Sequence, residues 1–331
     1  MAELLQIKNL SVEIMSTRGL VHAVRGVDLC IESGSIHGLV GESGCGKSVT
    51  ARSILRLYDP RYVRTRGEIL FNGNNLVAYS EKKMRGIRGN QISMIFQDPM
   101  TALNPLFKVG DQIAEVYETH LGDSKAEAKK KTMELLEVVG IHPAEMRYEQ
   151  YPFEFSGGML QRAVIAIAVA ANPKLIIADE PTTALDVTIQ AQILELLQRL
   201  QKELGVSILI ITHNFGIVSE ICDHVSVMYA GKILESGSKL DMFLNTMNPY
   251  SKALIDSIPK RGARGEYLET IVGSPPGLFD EIAGCPFAPR CNIATDVCYA
   301  KNPELKPYTS PSGRMHSAAC HLVEGSAYHA Q

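Results

Sequence analysis

The residues best suited to chemistry form the glycine-rich stretch Gly41–Ser48, with the sequence GESGCGKS. It follows the apolar run 36–40 and precedes a helix-compatible segment, so it lies where a strand should turn into a helix. This is the phosphate-binding P-loop pattern, in which Lys47 supplies a charge for the β- and γ-phosphates and Ser48 a hydroxyl for Mg²⁺. The stretch predicts binding of a nucleoside triphosphate through the following residues: Gly41, Ser43, Gly44, Cys45, Gly46, Lys47, Ser48 and Val49.

A pair of acids, Asp179 and Glu180, follows the continuous apolar run 175–178. Such a run is typical of a strand buried in a parallel sheet, and acids at the carboxyl end of these strands lie where α/β proteins place their sites. Asp179 can hold Mg²⁺ through water, and Glu180 can polarise an attacking water.

A second phosphate cradle is predicted where Ser156, Gly157 and Gly158 begin a helix, because exposed N–H groups at a helix N-terminus favour anions. One nucleotide does not need two cradles that lie so far apart in sequence. We therefore expect two ATPase subunits to meet head to tail, each ATP lying between one P-loop and the partner's Ser-Gly-Gly.

The composition is that of a globular protein: 331 residues, 45% hydrophobic, 21% charged and a formal net charge of −3, which does not favour nucleic acid as a partner. The first residues lack a signal-peptide core, and the most apolar run, 163–171, is too short to span a bilayer. These features predict a cytoplasmic chain that does not itself cross the membrane.

The elements that position these residues follow from periodicity. Strands are expected over 4–14, 23–31, 67–71, 91–96, 206–211, 225–229 and 232–235, with the P-loop strand and the strand before Asp179 among them. Helical patterns over 109–121 and 124–139 suggest an inserted helical lobe. A helix capped by Asp186 should bury one face, formed by Ile189, Ile193, Leu196, Leu197, Leu200 and Leu204.

Taken together, these motifs resemble the ATPase subunits of ATP-binding cassette (ABC) transporters over about residues 3–237. Gly41–Ser48 matches the Walker A loop, Gln97 the Q-loop, Asp179-Glu180 the Walker B pair and His213 the switch histidine. The signature is matched by Ser156, Gly157, Gly158 and Met159, and the D-loop by Ala184, Leu185 and Asp186.

The resemblance implies an α/β fold: a mixed sheet with a RecA-like parallel core, an antiparallel β subdomain and an inserted helical subdomain at about 98–172. It also implies the roles of the site. Ser48 and Gln97 coordinate Mg²⁺, with Asp179 helping through water; Glu180 is the general base; and His213 senses or stabilises the γ-phosphate. Catalysis would consist mainly of positioning and charge neutralisation.

Three positions modify this interpretation. Met159 replaces the usual signature glutamine, as in peptide-importer members. Ile14 aligns with the aromatic residue expected to stack on adenine, for which Arg18 or His22 could substitute. Cys45 lies near a helix N-terminus, which lowers a thiol pKa. It is either a small filler or a reactive thiol whose modification ATP should block.

The resemblance narrows to oligopeptide/dipeptide importer ATPases over segments 95–105, 155–162, 178–192 and 285–291. It implies a paired ATPase subunit, two permeases, an extracytoplasmic peptide-binding protein and a peripheral location at the cytoplasmic face of the membrane. Nickel and oligosaccharide importers share this family. The expected domains are an ATPase domain, 1–237, and a C-terminal extension, 238–331, that contains four cysteines.

Those cysteines are Cys285, Cys291, Cys298 and Cys320, separated by five, six and twenty-one residues. The spacing lacks the close pairs typical of zinc knuckles and favours a [4Fe-4S] cluster; Zn²⁺ is the alternative metal, and disulfides or free thiols a third option. Other classes are less consistent with the sequence. A soluble ABC ATPase of DNA repair or translation usually has two cassettes or a long coiled coil, and a non-catalytic cassette would lack Glu180 and His213.

Overall fold

The computed structural model describes residues 3–183, 185–258 and 271–323. The strands are β1 (Glu3–Ser16), β2 (Gly19–Glu32), β3 (Ile36–Val40), β4 (Val63–Phe71), β5 (Asn74–Asn75), β6 (Ile92–Ile95), β7 (Leu175–Asp179), β8 (Ser207–Thr212), β9 (His224–Tyr229), β10 (Lys232–Ser238), β11 (Lys306–Thr309) and β12 (Met315–Ala318). The helices are α1 (Lys47–Ile54), α2 (Glu81–Arg85), α3 (Pro99–Ala102), α4 (Val109–Val116), α5 (Lys125–Val138), α6 (Ala144–Tyr148), α7 (Gly157–Val169), α8 (Val187–Leu204), α9 (Phe215–Ile221), α10 (Lys239–Leu244), α11 (Pro249–Asp256) and α12 (Asp296–Ala300).

The chain divides into two compact units. The helical unit comprises Glu32–Ile36 and Ala78–Ile211. The P-loop unit comprises Glu3–Ile31, His37–Val77 and the chain from Thr212 onward. The P-loop unit therefore contains both the first strands and the C-terminal extension.

In the helical unit, β6, β7 and β8 pair in parallel, with Ile95 opposite Ala178 and Asp179 opposite Ile211. All five residues of β7 are buried, which matches the continuous apolar run in the sequence. A parallel register brings the residues that follow each strand to the same edge of the sheet. Gln97 lies two residues after β6, and Glu180 directly follows β7.

The helices between β6 and β7 form the predicted lobe. A capping box begins α5: the Ser124 hydroxyl accepts from the backbone N–H of Glu127, whose carboxylate accepts from the N–H of Ser124. The helical pattern 109–121 is only partly regular, because α4 ends at Val116 and continues as one π-helical turn, Tyr117–Leu121. Gly122, with φ +74°, closes that turn.

The apolar face of α8 is nearly as the periodicity predicts. Its buried residues are Ile193, Leu194, Leu196, Leu197 and Leu200. Ile189, also expected on this face, is half-buried. Leu204 was wrongly expected there: it is 41% exposed because it is the last residue of the helix, next to the left-handed Gly205.

The P-loop unit has an antiparallel sheet in the order β2-β1-β4-β5 and a second set of strands in the order β11-β12-β10-β9-β3. β3 and β9 pair in parallel, whereas β9, β10, β12 and β11 pair antiparallel. The predicted domain boundary near Gly237 lies inside β10, which pairs with β12 from the tail. That boundary remains a prediction.

A buried group of hydrogen bonds, called here the Glu235–His316 junction, connects the extension to β10. The Glu235 carboxylate accepts from His316 Nε2 of β12 at 2.8 Å and from the backbone N–H groups of Met247 and Asn248 at 2.6 and 3.1 Å. Glu235 and His316 are both fully buried. Because a buried charge is tolerated only when it is paired, this junction ties the extension to the sheet at a defined position.

Candidate functional site

The P-loop lies between the fully buried strand β3 and helix α1. Gly46 precedes the helix with φ +107°, and a Cβ there would approach the Ala23 carbonyl oxygen to 2.4 Å, so the position requires glycine. Lys47 is buried, and its Nζ donates to the carbonyl oxygens of Gly41 and Glu42, both at 2.8 Å. The ammonium group is thereby held at the start of the loop. Ser43 and Gly44 are exposed, whereas Ser48 and Val49 are half-buried.

Cys45 is buried in this loop, with its Sγ 3.7 Å from Lys47 Nζ. Burial raises its thiol pKa, and the neighbouring Lys47, which lowers it, does not compensate. Burial and the raised thiol pKa favour the alternative of a small packing residue over that of a reactive thiol.

Gln97 and Glu180 meet at the carboxyl edge of β6 and β7. Gln97 Nε2 donates to Glu180 Oε2 at 2.9 Å, and the Thr183 hydroxyl donates to the same oxygen at 2.9 Å. Glu180 has φ +49°, a left-handed conformation that is unusual for a residue other than glycine. Its backbone N–H donates to Ile211 O at 2.9 Å, which helps to hold this conformation. Asp179, the last residue of β7, is buried.

The signature residues lie at the start of α7. The Ser156 hydroxyl accepts from Met159 N–H at 3.4 Å and caps the helix. Ser156 and Gly157 are exposed. A Cβ on Gly158 would approach Ile189 Cγ2 to 2.9 Å, so a small residue is needed for the start of α7 to pack on α8.

The remaining predicted residues lie on two turns. Asp186 caps α8 by accepting from Ile189 N–H at 2.9 Å. Ala184 of the same D-loop lies outside the described residues. His213 is exposed and directly follows β8. The P-loop and His213 belong to the P-loop unit, whereas Gln97, Asp179, Glu180, the signature and Asp186 belong to the helical unit.

The four tail cysteines lie in one region of the extension. The N–H of Cys285 donates to the carbonyl of Cys298 at 2.7 Å. Burial raises the pKa values of the Cys285, Cys291 and Cys320 thiols, and neighbouring thiols raise them further. Across the residues that the structure describes, no three Cys, His, Asp or Glu side chains form a group that could hold a metal ion.

One residue of the site was missed. Arg290 contacts Glu42 of the P-loop with both guanidinium Nη atoms, at 2.7 and 3.0 Å. In the sequence, the segment 285–291 indicates only the family resemblance. A single arginine has no pattern that predicts contact with a residue 248 positions away.

In the described ranges 3–183, 185–258 and 271–323, no helix is both long and apolar enough to cross a membrane.

Two family models match the chain. The model described as "ABC transporter" matches residues 24–183, and the model described as "Oligopeptide/dipeptide transporter, C-terminal region" matches residues 234–298. The first range includes the P-loop, Gln97, the signature and the Asp179-Glu180 pair. The second includes three of the four tail cysteines and Arg290.

Curated relatives are similar over most of their length. The Dipeptide transport ATP-binding protein DppD of Bacillus subtilis (strain 168) is 47% identical over 331 residues, which cover 100% of this chain and 98% of the relative. The Oligopeptide transport ATP-binding protein OppD of the same organism is 50% identical over 305 residues, covering 91% of this chain and 85% of the relative.

Two solved structures of ABC proteins are similar in fold to this chain. The ATP-binding cassette MJ0796, in a dimeric post-hydrolysis state bound to ADP and Pi, has a TM-score of 0.64 and 25% identity, covering 71% of this chain and 99% of that chain. CbiO1 from Clostridium perfringens has a TM-score of 0.63 and 28% identity, covering 74% and 92%. The predicted α/β fold and family are confirmed, and the chain belongs to the ABC transporter ATPases, in the branch that has the oligopeptide/dipeptide transporter C-terminal region.

Proposed function

We propose that this ATPase drives the uptake of dipeptides or oligopeptides through partner permeases. The strongest support is that one chain contains both the ATP site and the peptide-transporter C-terminal region. The chain is also similar along its full length to a dipeptide transport subunit. The protein would be peripheral at the cytoplasmic face of the membrane, and an extracytoplasmic binding protein would deliver the peptide.

The P-loop residues bind and orient the triphosphate. The loop amides and the Lys47 ammonium hold the β- and γ-phosphates, and α1 directs the N–H groups of its first turn toward them. Because Lys47 Nζ is held by the carbonyls of Gly41 and Glu42, its charge is positioned before the nucleotide arrives. Less reorganisation is then needed on binding.

Mg²⁺ would be held by the hydroxyl of Ser48 and the amide oxygen of Gln97, with Asp179 acting through water. Oxygen atoms are the ligands that this cation prefers. The bond from Gln97 to Glu180 uses Nε2 and not the amide oxygen that would bind the cation. When bound, the cation neutralises charge on the phosphates.

Glu180 is proposed to accept the proton of the attacking water. The bonds from Gln97 and Thr183 orient its carboxylate, and its left-handed backbone conformation is a local strain of the kind found at active sites. His213 would stabilise the γ-phosphate. Ser156, Gly157, Gly158 and Met159 would contact the nucleotide of a paired ATPase subunit, with Asp186 at the same subunit interface.

The lobe after Gln97 is proposed to bind the permeases. Several large apolar side chains are exposed here: Met100, Leu106, Phe107 and Phe153, at 73, 80, 56 and 76%. A groove of about 840 Å³ is lined by Phe107, Tyr148 and the charged residues Asp111, Glu115 and Lys129, among others. An apolar surface with a charged rim is typical of a protein interface.

Phe107→Ser is expected to weaken copurification of the permeases about 10-fold, since a large apolar anchor contributes about 1–2 kcal/mol or more to an interface. ATP binding by the isolated chain should not change. Leu244→Ser, which removes an exposed apolar residue of the P-loop unit (71% exposed), serves as the matched control. Permease recovery equal to that of the unaltered chain would contradict the proposed docking surface.

The tail cysteines are proposed to ligate a [4Fe-4S] cluster that braces the extension. The support is the donor set, since four thiols without histidine or carboxylate suit iron and sulfide better than a hard cation. The thiols are near enough to influence one another's pKa but do not form a compact ligand group, so the proposal rests on the type and number of the donors.

Protein prepared without oxygen is expected to be brown and to contain about four iron atoms per chain, the content of a [4Fe-4S] cluster. Cys298→Ser should lose most of this iron, whereas Cys30→Ser, outside the tail, should retain it. Colourless protein without iron would contradict the cluster, and zinc in its place would establish the alternative metal.

A further inference from the structure

An arginine of the C-terminal extension forms an ion pair with the nucleotide-binding loop. Arg290 ends the short 3₁₀ turn Ala288–Arg290, next to Cys291 in the tail. Its Nη1 lies 2.7 Å from Glu42 Oε2 and its Nη2 lies 3.0 Å from Glu42 Oε1. The Arg290 side chain is 5% exposed and that of Glu42 24%, so this bidentate pair is largely shielded from water.

The guanidinium uses all of its donors here. Besides the two bonds to Glu42, Nη1 donates to the Tyr229 hydroxyl at 3.1 Å, Nη2 to Ile271 O at 3.2 Å and Nε to Val272 O at 3.1 Å. A lysine has three donors on one atom and cannot reproduce a planar arrangement of this kind. The site is therefore built for arginine.

Glu42 is in turn held at each of its polar groups. Its carboxylate accepts from Arg290, its backbone N–H donates to the Tyr250 hydroxyl at 3.0 Å, and its carbonyl accepts from Lys47 Nζ at 2.8 Å. Arg290, Glu42 and Lys47 thus form a continuous chain of contacts from the extension to the phosphate-binding lysine.

Aromatic packing keeps these groups in place. The rings of Tyr229 and Tyr250 lie 4.5 Å apart, and Phe287 of the tail packs on them at 5.5 and 5.2 Å. The Arg290 guanidinium lies 5.7 Å from the centre of the Tyr229 ring. The cluster fixes the tail segment beside the loop, so the ion pair does not depend on two mobile side chains.

The Arg290–Glu42 pair is not needed merely to attach the extension to the rest of the unit. The tail is already joined to the sheet by the pairing of β10 with β12 and by the buried Glu235–His316 junction. Arg290 instead binds Glu42, the one acidic residue within the loop Gly41–Ser48.

We propose that Arg290 is a positioning residue for ATP binding: by holding Glu42 it preorganises the P-loop, and through it the C-terminal extension sets the affinity for nucleotide. The inference rests on the proposed role of Lys47 and the loop in phosphate binding. Without the pair, the Glu42 backbone and its contact with Lys47 would sample other positions, and ATP would have to order them on binding.

The test measures Mg-ATP affinity of the full chain for Arg290→Lys, Glu42→Gln and the double variant. Each single change is expected to weaken binding about 10-fold, and the double variant should be no weaker than the singles, because both remove the same contact. In the assembled transporter the variants should raise KM for ATP and leave kcat at saturating ATP nearly unchanged. Arg61→Lys is the matched control, since its pair with Asp59 lies on an exposed surface.

Unchanged affinity in folded single variants would overturn the proposal, and so would additive effects in the double variant. If the single variants do not fold, Tyr229→Phe decides: it keeps the ring but removes one partner of Arg290, and should weaken ATP binding two- to three-fold. Unchanged affinity there would also overturn it. Lys47→Ala in the same assay tests the P-loop assignment separately from the role of Arg290. Loss of ATP binding in this variant supports the P-loop assignment even if the Arg290 variants bind ATP normally.

Discussion

Glu180→Gln is expected to lower ATP turnover of the assembled transporter by about 10²–10⁴-fold, the range for losing a general base. The amide has nearly the same shape but cannot accept the proton of the attacking water. ATP binding should persist, because Glu180 is not one of the P-loop residues that hold the phosphates. Phosphate release, measured together with nucleotide affinity, distinguishes the two effects.

The structure supplies a control for that experiment. Glu195 is an exposed glutamate of α8 in the same unit, and Glu195→Gln should leave turnover unchanged. The bond from Gln97 Nε2 to Glu180 Oε2 can be retained by the new amide if its oxygen takes that position, so the local geometry need not change. Near-normal hydrolysis by Glu180→Gln would exclude Glu180 as the base.

Lys47→Ala should weaken Mg-ATP binding about 100-fold, equivalent to about 2.8 kcal/mol. The variant loses the positive charge that compensates the β- and γ-phosphates. It also loses the two bonds, each 2.8 Å, that draw the carbonyls of Gly41 and Glu42 toward the lysine. Equilibrium binding of a fluorescent ATP analogue, with ATP as competitor, measures the effect.

Two controls keep the Lys47 result interpretable. The melting temperature without nucleotide shows whether the variant is folded. Lys130→Ala removes an exposed lysine, 76% exposed, and should bind ATP normally. A folded Lys47→Ala variant that binds Mg-ATP as tightly as the unaltered chain would refute the P-loop assignment.

Patterns among residues close in sequence were sufficient to predict many of the helices and strands. The serine at 156 and the aspartate at 186 were expected to begin helices, and both cap them through their side chains. The apolar run before Asp179 is a buried strand, as its composition predicts. These features depend on residues close in sequence, which is why single-sequence patterns detect them.

Contacts between distant residues could not be obtained in this way. The bond between Gln97 and Glu180 joins residues 83 apart and depends on the parallel register of β6 and β7. The contact of Arg290 with Glu42 depends on where the tail packs. For Cys45, the helix N-terminus suggested a lowered pKa, but burial has the larger effect and raises it. The strands β11 and β12 were not predicted, because four-residue strands in a polar tail have no strong periodicity.

Transport by the assembled importer tests most directly whether ATP hydrolysis by this chain drives peptide uptake. The permeases and both ATPase subunits would be reconstituted in vesicles with ATP at the ATPase face, and the binding protein would present labelled dipeptide, oligopeptide, nickel or oligosaccharide on the other side. We expect ATP-dependent accumulation of peptide that Glu180→Gln abolishes. Accumulation of nickel or oligosaccharide without peptide, or peptide uptake that persists in Glu180→Gln, would contradict it.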